Sequence, residues 1–227
     1  MDQKPMEIAK RAAGIKAAEF IEPHMTVGLG TGSTTKYFIE ALAERFKNGL
    51  SFRCAATSTA SESLAKSLGL PLVPIASVSY FDIDVDGADL IDDEKNMIKG
   101  GGGALLREKI IAGSSREMIV LIDSTKRKKH LGGSFLPVEI LPFGSNLTIN
   151  KIESMNLRGA IRLREGRVYT TDNGNFIYDI QLEDQLSDPW GLELSLLNIP
   201  GVIETGLFLG YAGRVIMGEE NGSVHIY

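Results

Sequence analysis

Short apolar runs alternate with segments of helical periodicity along the first half of the chain. The run MTVGLG (25–30) predicts a buried strand, KYFIEALAERF (36–46) predicts a helix, and FRCAAT (52–57) with SESLAKSLG (61–69) repeats that order. This alternation predicts βαβ units and a parallel sheet. Ligands collect at the carboxyl ends of such strands. At those ends this chain carries three short polar segments, GTGST (30–34), DGAD (86–89) and DSTK (123–126).

The second half of the chain predicts a different arrangement. Its order is strand LPVEIL (136–141), helix NLTINKIESMN (146–156), strand AIRLR (160–164), strands RVYTT (167–171) and NFIYDI (175–180), helix DPWGLELSLLN (188–198) and strand GVIETGLF (201–208). The Asn-Gly pair predicts that RVYTT and NFIYDI form a hairpin. The β-α-β-β-α-β order indicates a ferredoxin-like domain. The C-terminal RVIMGEENGSVHIY (214–227) predicts another hairpin, which returns to the first sheet.

These patterns together predict an α/β fold with two domains. Residues 1–131 and 206–227 are expected to form a Rossmann-like domain with a parallel sheet. Residues 132–205 are expected to form a smaller, ferredoxin-like α+β domain. The 227 residues suffice for one large domain or for a domain with a smaller companion.

Charge and cysteine content exclude several classes of function. A formal net charge of -5 and a pI near 5.3 argue against a nucleic-acid surface, because phosphate backbones attract a positive field. The single cysteine, Cys54, cannot form an internal disulfide and fits a reducing compartment. The N-terminal segment lacks the apolar region of a secretory signal, and no apolar run approaches the roughly 18 residues of a membrane helix. We therefore expect a cytoplasmic protein with neither a nucleic-acid nor a membrane partner.

The segment GLGTGST (28–34) lies between a predicted strand and a predicted helix. It departs from the dinucleotide-binding pattern, because Ser33 stands where that pattern needs glycine, and it lacks the Gly-Lys-Ser/Thr of a P-loop. Its glycines allow backbone N–H groups to approach an anion at the positive end of the helix. A small phosphate bound by the hydroxyls and amides of Thr31, Ser33 and Thr34 is one interpretation. A tight turn capped by Ser33 is the other.

A run of aspartates resembles a calcium-binding loop. Asp82, Asp84 and Asp86, followed by Gly87 and by Asp93 at the twelfth position, nearly match the EF-hand pattern. However, the preceding residues predict a strand, and an aspartate replaces the usual bidentate glutamate. A calcium site is therefore disfavoured, and no metal ligand is assigned.

Four consecutive glycines follow Lys99, and a predicted helix carrying Glu108 follows the glycines. Four glycines are a costly way to build an ordinary loop, so a close approach to this backbone is expected. A glutamate on a helix is usually solvated. Combined with Asp86 and Asp89, however, Glu108 and Lys99 can form an acid/base set with a cation that stabilises an enediolate oxygen.

The remaining candidates are lysines rather than histidines. Lys126 in DSTK and Lys10 on the first predicted helix are placed to reach an anionic substrate, although either can simply be solvated. The three histidines lack metal-ligand spacing, and no G-x-S-x-G nucleophile motif is present.

Six motifs, taken in order, resemble ribose-5-phosphate isomerases of the A type. They are GTGST (30–34), DGAD (86–89), KGGGGALLREK (99–109), DSTK (123–126), TDNGN (171–175) and GLF (206–208), and they span nearly the whole chain. The resemblance implies a Rossmann-like domain with a smaller α/β domain, assembled as a homodimer or homotetramer. It also implies that no metal or organic cofactor is needed.

The resemblance further implies interconversion of D-ribose 5-phosphate and D-ribulose 5-phosphate in the pentose phosphate pathway. Glu108 matches the proton-transferring base of the family. The implied substrate contacts are Thr31, Gly32, Ser33, Thr34, Asp86, Gly87, Ala88, Asp89, Lys99, Gly100, Gly101, Gly102 and Lys126, with Lys10 near the phosphate. Two residues depart from the family pattern: Leu90 stands where Glu is common, and Leu106 stands where Thr is common.

Three alternatives remain open from the sequence. The first is isomerisation of another sugar phosphate, or deamination of an amino-sugar phosphate, because a phosphate-binding loop does not discriminate between different sugars. The second is a non-catalytic sugar-phosphate sensor on the same fold. The third and weakest is a calcium-binding module.

Overall fold

The computed structural model describes residues 4–227. Its helices are α1 (Pro5–Ala18), α2 (Ser33–Lys47), α3 (Thr59–Ser67), α4 (Leu105–Gly113), α5 (Ser145–Glu153) and α6 (Pro189–Leu197). Its strands are β1 (Thr26–Leu29), β2 (Arg53–Ala56), β3 (Ile83–Gly87), β4 (Leu90–Ile91), β5 (Met97–Ile98), β6 (Met118–Asp123), β7 (Phe135–Ile140), β8 (Arg158–Ile161), β9 (Leu163–Arg164), β10 (Arg167–Val168), β11 (Phe176–Gln181), β12 (Val202–Thr205), β13 (Leu207–Phe208), β14 (Ala212–Gly218) and β15 (Val224–Ile226). Short 3-10 helices cover Ile75–Ser77 and Ser124–Lys126.

The chain divides into two compact units. The first comprises the residues up to Ala88 together with Arg107–Arg127 and Tyr211–Tyr227, and the second comprises Asp89–Leu106 and Lys128–Gly210. Residues 89–106, which the sequence analysis assigned to the first domain, thus group with the second unit. Whether the two units are separate domains with the predicted boundaries stays a prediction.

The first unit is built on a six-stranded sheet in the order β15-β14-β6-β3-β1-β2. The pairs β1–β2, β1–β3, β3–β6 and β6–β14 are parallel, which confirms the parallel sheet predicted from the strand and helix alternation. Helix α2 buries Phe38 and Leu42 in the same apolar cluster as Val27 and Leu29 of β1. Residues 30–32 alone connect the two elements, so the N-terminus of α2 follows directly after the carboxyl end of β1.

The C-terminal hairpin is also confirmed. Strand β15 pairs antiparallel with β14, and β14 pairs parallel with β6. The C-terminal strands β14 and β15 therefore belong to the same sheet as β1 and β2.

The second unit contains a four-stranded antiparallel sheet in the order β12-β7-β11-β8. Helix α5 connects β7 to β8, and α6 connects β11 to β12. This is the predicted ferredoxin-like arrangement, in which the first and third strands lie at the centre. Leu136, Val138, Tyr178 and Ile180 of the two central strands form the middle of its core.

The predicted hairpin between RVYTT and NFIYDI is wrong in its strand pairing. Strand β10 pairs with β9, with Val168 opposite Leu163, whereas β11 is occupied by β7 on one side and β8 on the other. Both edges of β11 are therefore taken. The turn itself forms, since Thr171 N–H donates to Asn175 O at 2.9 Å and Thr170 forms an isolated bridge with Phe176.

Residues Asp89–Lys99 contain a short hairpin that the sequence analysis missed. Strands β4 and β5 pair antiparallel, with Leu90 opposite Ile98, and an acidic turn joins them. Both of these side chains are buried in the apolar core of the second unit. An apolar residue at position 90 is therefore explained by its surroundings.

No helix within residues 4–227 combines the length and the apolar composition that a membrane crossing requires.

Cys54 is predicted to be chemically inert in the folded protein. Its side chain is buried in β2, and this burial raises the pKa of the thiol to about 12. Because the thiolate is the reactive species, we expect iodoacetamide to modify Cys54 very slowly in the folded protein. Modification should be rapid in the protein unfolded by guanidinium chloride at the same pH. Mass spectrometry of timed aliquots measures both rates, and equal rates in the two solutions would contradict the prediction.

Candidate active site

Two glycines of the GLG segment make room for two buried aspartates of β3. Gly28 is in register with Asp84, and a methyl group at Gly28 would lie 2.5 Å from Asp84 Oδ1. A methyl group at Gly30 would lie 2.2 Å from both Cγ and Oδ1 of Asp86. The expectation that these glycines admit an anion to the backbone is thus corrected, because aspartate side chains fill the space beside them. The glycine pattern serves the carboxylates.

Asp86 is held by the loop that follows β1. Its Oδ1 accepts hydrogen bonds from Thr31 N–H at 2.9 Å and from Gly87 N–H at 2.7 Å, and Thr35 Oγ1 lies 3.5 Å away. The side chain is fully buried at 0% exposure. These contacts fix the orientation of the carboxylate at the carboxyl end of β3.

The predicted phosphate loop ends where α2 begins. Gly32, with φ of 127°, precedes the helix, and Ser33 is its first residue. Ser33 is therefore not the N-cap that the alternative interpretation required, and no side chain caps this helix. The first N–H groups of an α-helix have no partner within it and lie at the positive end of the dipole, an arrangement that favours an anion.

Lys10 of α1 is tethered rather than freely solvated. Its Nζ lies 3.3 Å from Glu7 Oε1, and Tyr37 of α2 donates a hydrogen bond from its hydroxyl to Glu7 Oε2 at 2.5 Å. The bond from Tyr37, and next the bond from Lys10, hold the pKa of Glu7 below its ordinary value, and the same bond to Glu7 raises the pKa of Tyr37. Glu7 thus connects the lysine to the helix that begins at the phosphate loop.

Glu108 lies in the first turn of α4, as part of the helix that was predicted to follow the glycines. Only 3% of its surface is exposed. A solvated glutamate, the ordinary interpretation of such a residue, is therefore excluded. Ionisable side chains are rarely buried to this extent unless they are paired or functional.

Lys126 closes the 3-10 turn after β6. Asp123, the last residue of β6, accepts hydrogen bonds from Thr125 N–H at 3.0 Å and from Thr125 Oγ1 at 2.5 Å, which fixes the turn. The DSTK motif is therefore a capped turn that presents a half-buried lysine at a strand end.

In the second unit, the glycine run is bonded to Asp89. Asp89 N–H donates to Ile98 O at 2.9 Å, and Asp89 Oδ2 accepts from Gly101 N–H at 2.7 Å. Gly100 has a positive φ of 101°. The close approach that the glycines predicted is thus made, in part, by a site residue of the same chain.

Lys99 is buried at 2% exposure, and its ammonium group lies over an aromatic ring. Its Nζ is 5.3 Å from the centroid of the Phe208 ring, a distance typical of a cation–π contact. The backbone N–H of Lys99 donates to the carbonyl oxygen of Gly206 at 2.8 Å. The GLF motif therefore orients the lysine through its backbone and through its ring.

Three supporting residues were not predicted from the sequence. Besides Phe208, Arg162 donates to Gly100 O at 2.8 Å and Gly101 O at 3.1 Å while it pairs with Asp179 at 2.5 Å. Tyr169 donates from its hydroxyl to Gly102 O at 3.3 Å. These partners lie about sixty or more residues from the glycines along the chain, and Phe208 alone among them falls within one of the six motifs, GLF.

Five of the predicted residues form two hydrogen-bonded groups, one in each unit. Thr31, Asp86 and Gly87 belong to the first, and Asp89 and Gly101 belong to the second. Ala88 is the last residue before the second unit. Within residues 4–227 no group of three or more His, Cys, Asp or Glu side chains is placed to bind a metal ion.

Comparison with known proteins gives a consistent result. The sequence model of the family described as "Ribose 5-phosphate isomerase A (phosphoriboisomerase A)" matches residues 53–222. Ribose-5-phosphate isomerase A of Protochlamydia amoebophila is 44% identical over 226 residues, covering 99% of this chain and 97% of the relative. The Bacillus mycoides protein of the same name is 42% identical and covers 94% and 96%.

Solved structures agree with this match. Ribose 5-phosphate isomerase from Plasmodium falciparum superposes with a TM-score of 0.94 at 34% identity, covering 98% of each chain. A D-ribose-5-phosphate isomerase in complex with phospho-erythronic acid has a TM-score of 0.91 at 37% identity and covers 96% of each chain.

Proposed function

The chain belongs to the ribose-5-phosphate isomerase A family and is an aldose–ketose isomerase of ribose 5-phosphate, and we propose that Glu108 is its proton-transferring base. The observation that carries this proposal is the burial of Asp86, Lys99 and Glu108, three ionisable side chains that are at most 3% exposed. Burial of such groups is costly and is typical of catalytic sites.

Isomerisation requires one proton to move between C2 and C1 of the open-chain sugar and a second proton to move from the C2 hydroxyl to the C1 oxygen. In the proposed mechanism the Glu108 carboxylate takes the C2 proton, which produces an enediolate, and returns it to C1 on the same face. Lys99 supplies positive charge to the enediolate oxygen, together with N–H groups of Gly100–Gly102. The Glu108 carboxylate suffices for both transfers of the carbon-bound proton, because it is a base when it removes the proton from C2 and an acid when it returns the proton to C1.

The two aspartates have different proposed roles. The Asp86 carboxylate assists ring opening or moves the hydroxyl proton between the C2 and C1 oxygens, and its fixed Oδ1 keeps it in one orientation. Asp89, bonded to Gly101, contacts the sugar hydroxyls and holds the glycine run in place. Gly87 and Ala88, between them in sequence, supply backbone contacts.

The phosphate is proposed to bind at the start of α2. The proposed donors are the N–H groups of Gly32, Ser33 and Thr34 and the hydroxyls of Ser33 and Thr34, because the helix begins there without a side-chain cap. Lys10 and Lys126 supply the positive charge. Lys10 suits this role because Glu7 ties it to α2 through Tyr37.

Turnover with purified protein tests the function. Protein stripped with a chelator is expected to convert ribose 5-phosphate to ribulose 5-phosphate, and arabinose 5-phosphate and glucosamine 6-phosphate are expected to be poor substrates. Binding of ribose 5-phosphate without turnover would instead indicate a sensor, and turnover of another sugar phosphate alone would indicate a different isomerase or a deaminase. Phospho-erythronic acid, which a structural relative binds, is a suitable competitive inhibitor for the assay.

We further propose that the enzyme works in the cytoplasm as a homodimer or homotetramer. The second unit exposes large apolar side chains, including Phe143 at 88% and Leu194 at 65%, with Leu147 and Trp190 also exposed. We propose that these side chains form one contiguous apolar patch, a feature that marks interaction surfaces. The lone buried cysteine fits a reducing compartment.

Light scattering after size exclusion measures the assembly. We expect a mass of two or four times 24.6 kDa for the natural chain and a lower mass for Leu194→Glu. Ile75→Glu, at an exposed residue of the first unit, serves as the control and is expected to leave the mass unchanged. A natural chain that elutes at 24.6 kDa would contradict the proposal.

A further inference from the structure

Four hydroxyl groups form a continuous chain beneath the phosphate loop. Thr57 Oγ1 lies 2.7 Å from Thr31 Oγ1, and Thr31 Oγ1 lies 2.8 Å from Ser58 Oγ. Ser58 Oγ lies 3.1 Å from Ser61 Oγ, which lies 2.7 Å from the carbonyl oxygen of Gly30. Thr57 and Ser58 belong to the turn from β2 into α3, Ser61 lies in the first turn of α3, and all three residues are buried.

The direction of these hydrogen bonds follows from their last member. A carbonyl oxygen only accepts, so Ser61 donates to Gly30, and each hydroxyl has one proton to donate. Ser58 must then donate to Ser61, and Thr31 must donate to Ser58. Thr57 in turn donates to Thr31.

A second acceptor for Thr57 does not alter this result. Thr57 Oγ1 is also 3.2 Å from the carbonyl oxygen of Leu29, which is longer than its contact with Thr31. Even if Thr57 donates to Leu29, the proton of Ser58 is still committed to Ser61. The Thr31 proton then goes to Ser58 or to Thr57, so it is donated within the protein in either case.

The backbone donor of Thr31 is also engaged. Its N–H donates to Asp86 Oδ1 at 2.9 Å. Both donors of Thr31 are thus used within the protein, one towards α3 and one towards the site. Ser33, by contrast, is exposed at the start of α2.

We propose that Thr31 is a positioning residue for Asp86 rather than a donor to the substrate phosphate. Ser58 and Ser61, which lie outside every motif of the family resemblance, hold the Thr31 hydroxyl and thereby the peptide whose N–H fixes Asp86. The proposal rests on the proposed function, in which Asp86 acts on the sugar. It extends the reaction machinery to the turn after β2.

Kinetics of matched variants test this role. Thr31→Val and Ser58→Ala each remove the bond between the two hydroxyls, and we expect each to lower kcat by about tenfold, the effect of one lost hydrogen bond. The KM for ribose 5-phosphate and the inhibition constant of inorganic phosphate should change less than about twofold. Ser33→Ala should show the opposite pattern, with weaker phosphate inhibition and a raised KM.

Two further variants separate positioning from a general loss of structure. Thr31→Ser keeps the hydroxyl and should restore most of kcat, and the double variant Thr31→Val/Ser58→Ala should be no slower than the slower single variant, since both remove the same bond. Ser63→Ala, whose hydroxyl donates to Thr59 O on the exposed face of α3, should behave like the natural protein.

The proposal is overturned if Thr31→Val weakens phosphate inhibition as strongly as Ser33→Ala, or if Ser58→Ala leaves kcat unchanged. A natural protein without turnover would refute the proposed function instead. In that case calorimetry with inorganic phosphate still decides the role of Thr31, because loss of phosphate binding in Thr31→Val but not in Thr31→Ser makes its hydroxyl a phosphate contact.

Discussion

Replacing Glu108 with Gln lowers kcat for ribose 5-phosphate isomerisation by about 10²- to 10⁴-fold, the range expected when a general base is lost. The amide keeps the size of the side chain but cannot accept a proton from C2. Because Glu108 is not proposed to contact the phosphate, inhibition by inorganic phosphate should persist. The KM should change little by comparison.

Exchange of hydrogen with solvent gives an independent measurement of the same step. During turnover in D₂O the natural protein should introduce deuterium at the transferred position, and Glu108→Gln should lose this exchange together with turnover. Glu22→Gln, which alters an exposed glutamate of the first unit, is the matched control. Full activity in Glu108→Gln would remove this residue from the proposed mechanism.

Replacing Gly30 with Ala is expected to lower kcat by about 10²-fold, even though no functional group is removed. The added methyl group would lie 2.2 Å from Asp86 Cγ, so the carboxylate must move. A shift of about 1 Å in a catalytic group can cost this much in rate. The free energy of unfolding should also fall by about 1–3 kcal/mol, as expected for overpacking.

A double-mutant cycle identifies the clash as the cause. In an Asp86→Gly background the three atoms that the methyl group would meet, Cβ, Cγ and Oδ1 of Asp86, are all absent, so Gly30→Ala should there have little effect on the free energy of unfolding. Gly113→Ala at the end of α4 is the control, because its methyl group would make an ordinary 3.7 Å contact with Tyr211. Equal destabilisation by Gly30→Ala in both backgrounds would contradict the explanation.

The parallel sheet of the first unit and the ferredoxin-like arrangement of the second could be anticipated because both follow from local patterns. Apolar runs separated by helical segments predict parallel strands, and the β-α-β-β-α-β order leaves few arrangements. The pairing of β10 could not be anticipated. It depends on whether β11 has a free edge, and that edge is taken by β8, whose partners on β11 lie about 20 residues away along the chain.

The candidate site shows the same division. Polar residues after each strand and the glycines after Lys99 were visible in the sequence, and the structure buries Asp86, Lys99 and Glu108. Their supports were not visible, because a contact such as that of Lys99 with Phe208 joins residues over a hundred positions apart. The role of Gly30 was predicted wrongly for the same reason, because the register of β1 with β3 determines that Asp86 lies beside it.

The pairing of Gly30 with Asp86 also constrains how this chain can evolve. A lineage that no longer needs the reaction can replace Asp86 with glycine first and then fill the vacated space with a side chain at position 30. The reverse order passes through the clash of a methyl group with a carboxylate 2.2 Å away. Once that space is filled, a return to aspartate at position 86 is blocked until the glycine is restored. Loss of the activity by that route is therefore difficult to reverse, because glycine must return at position 30 before aspartate can return at position 86.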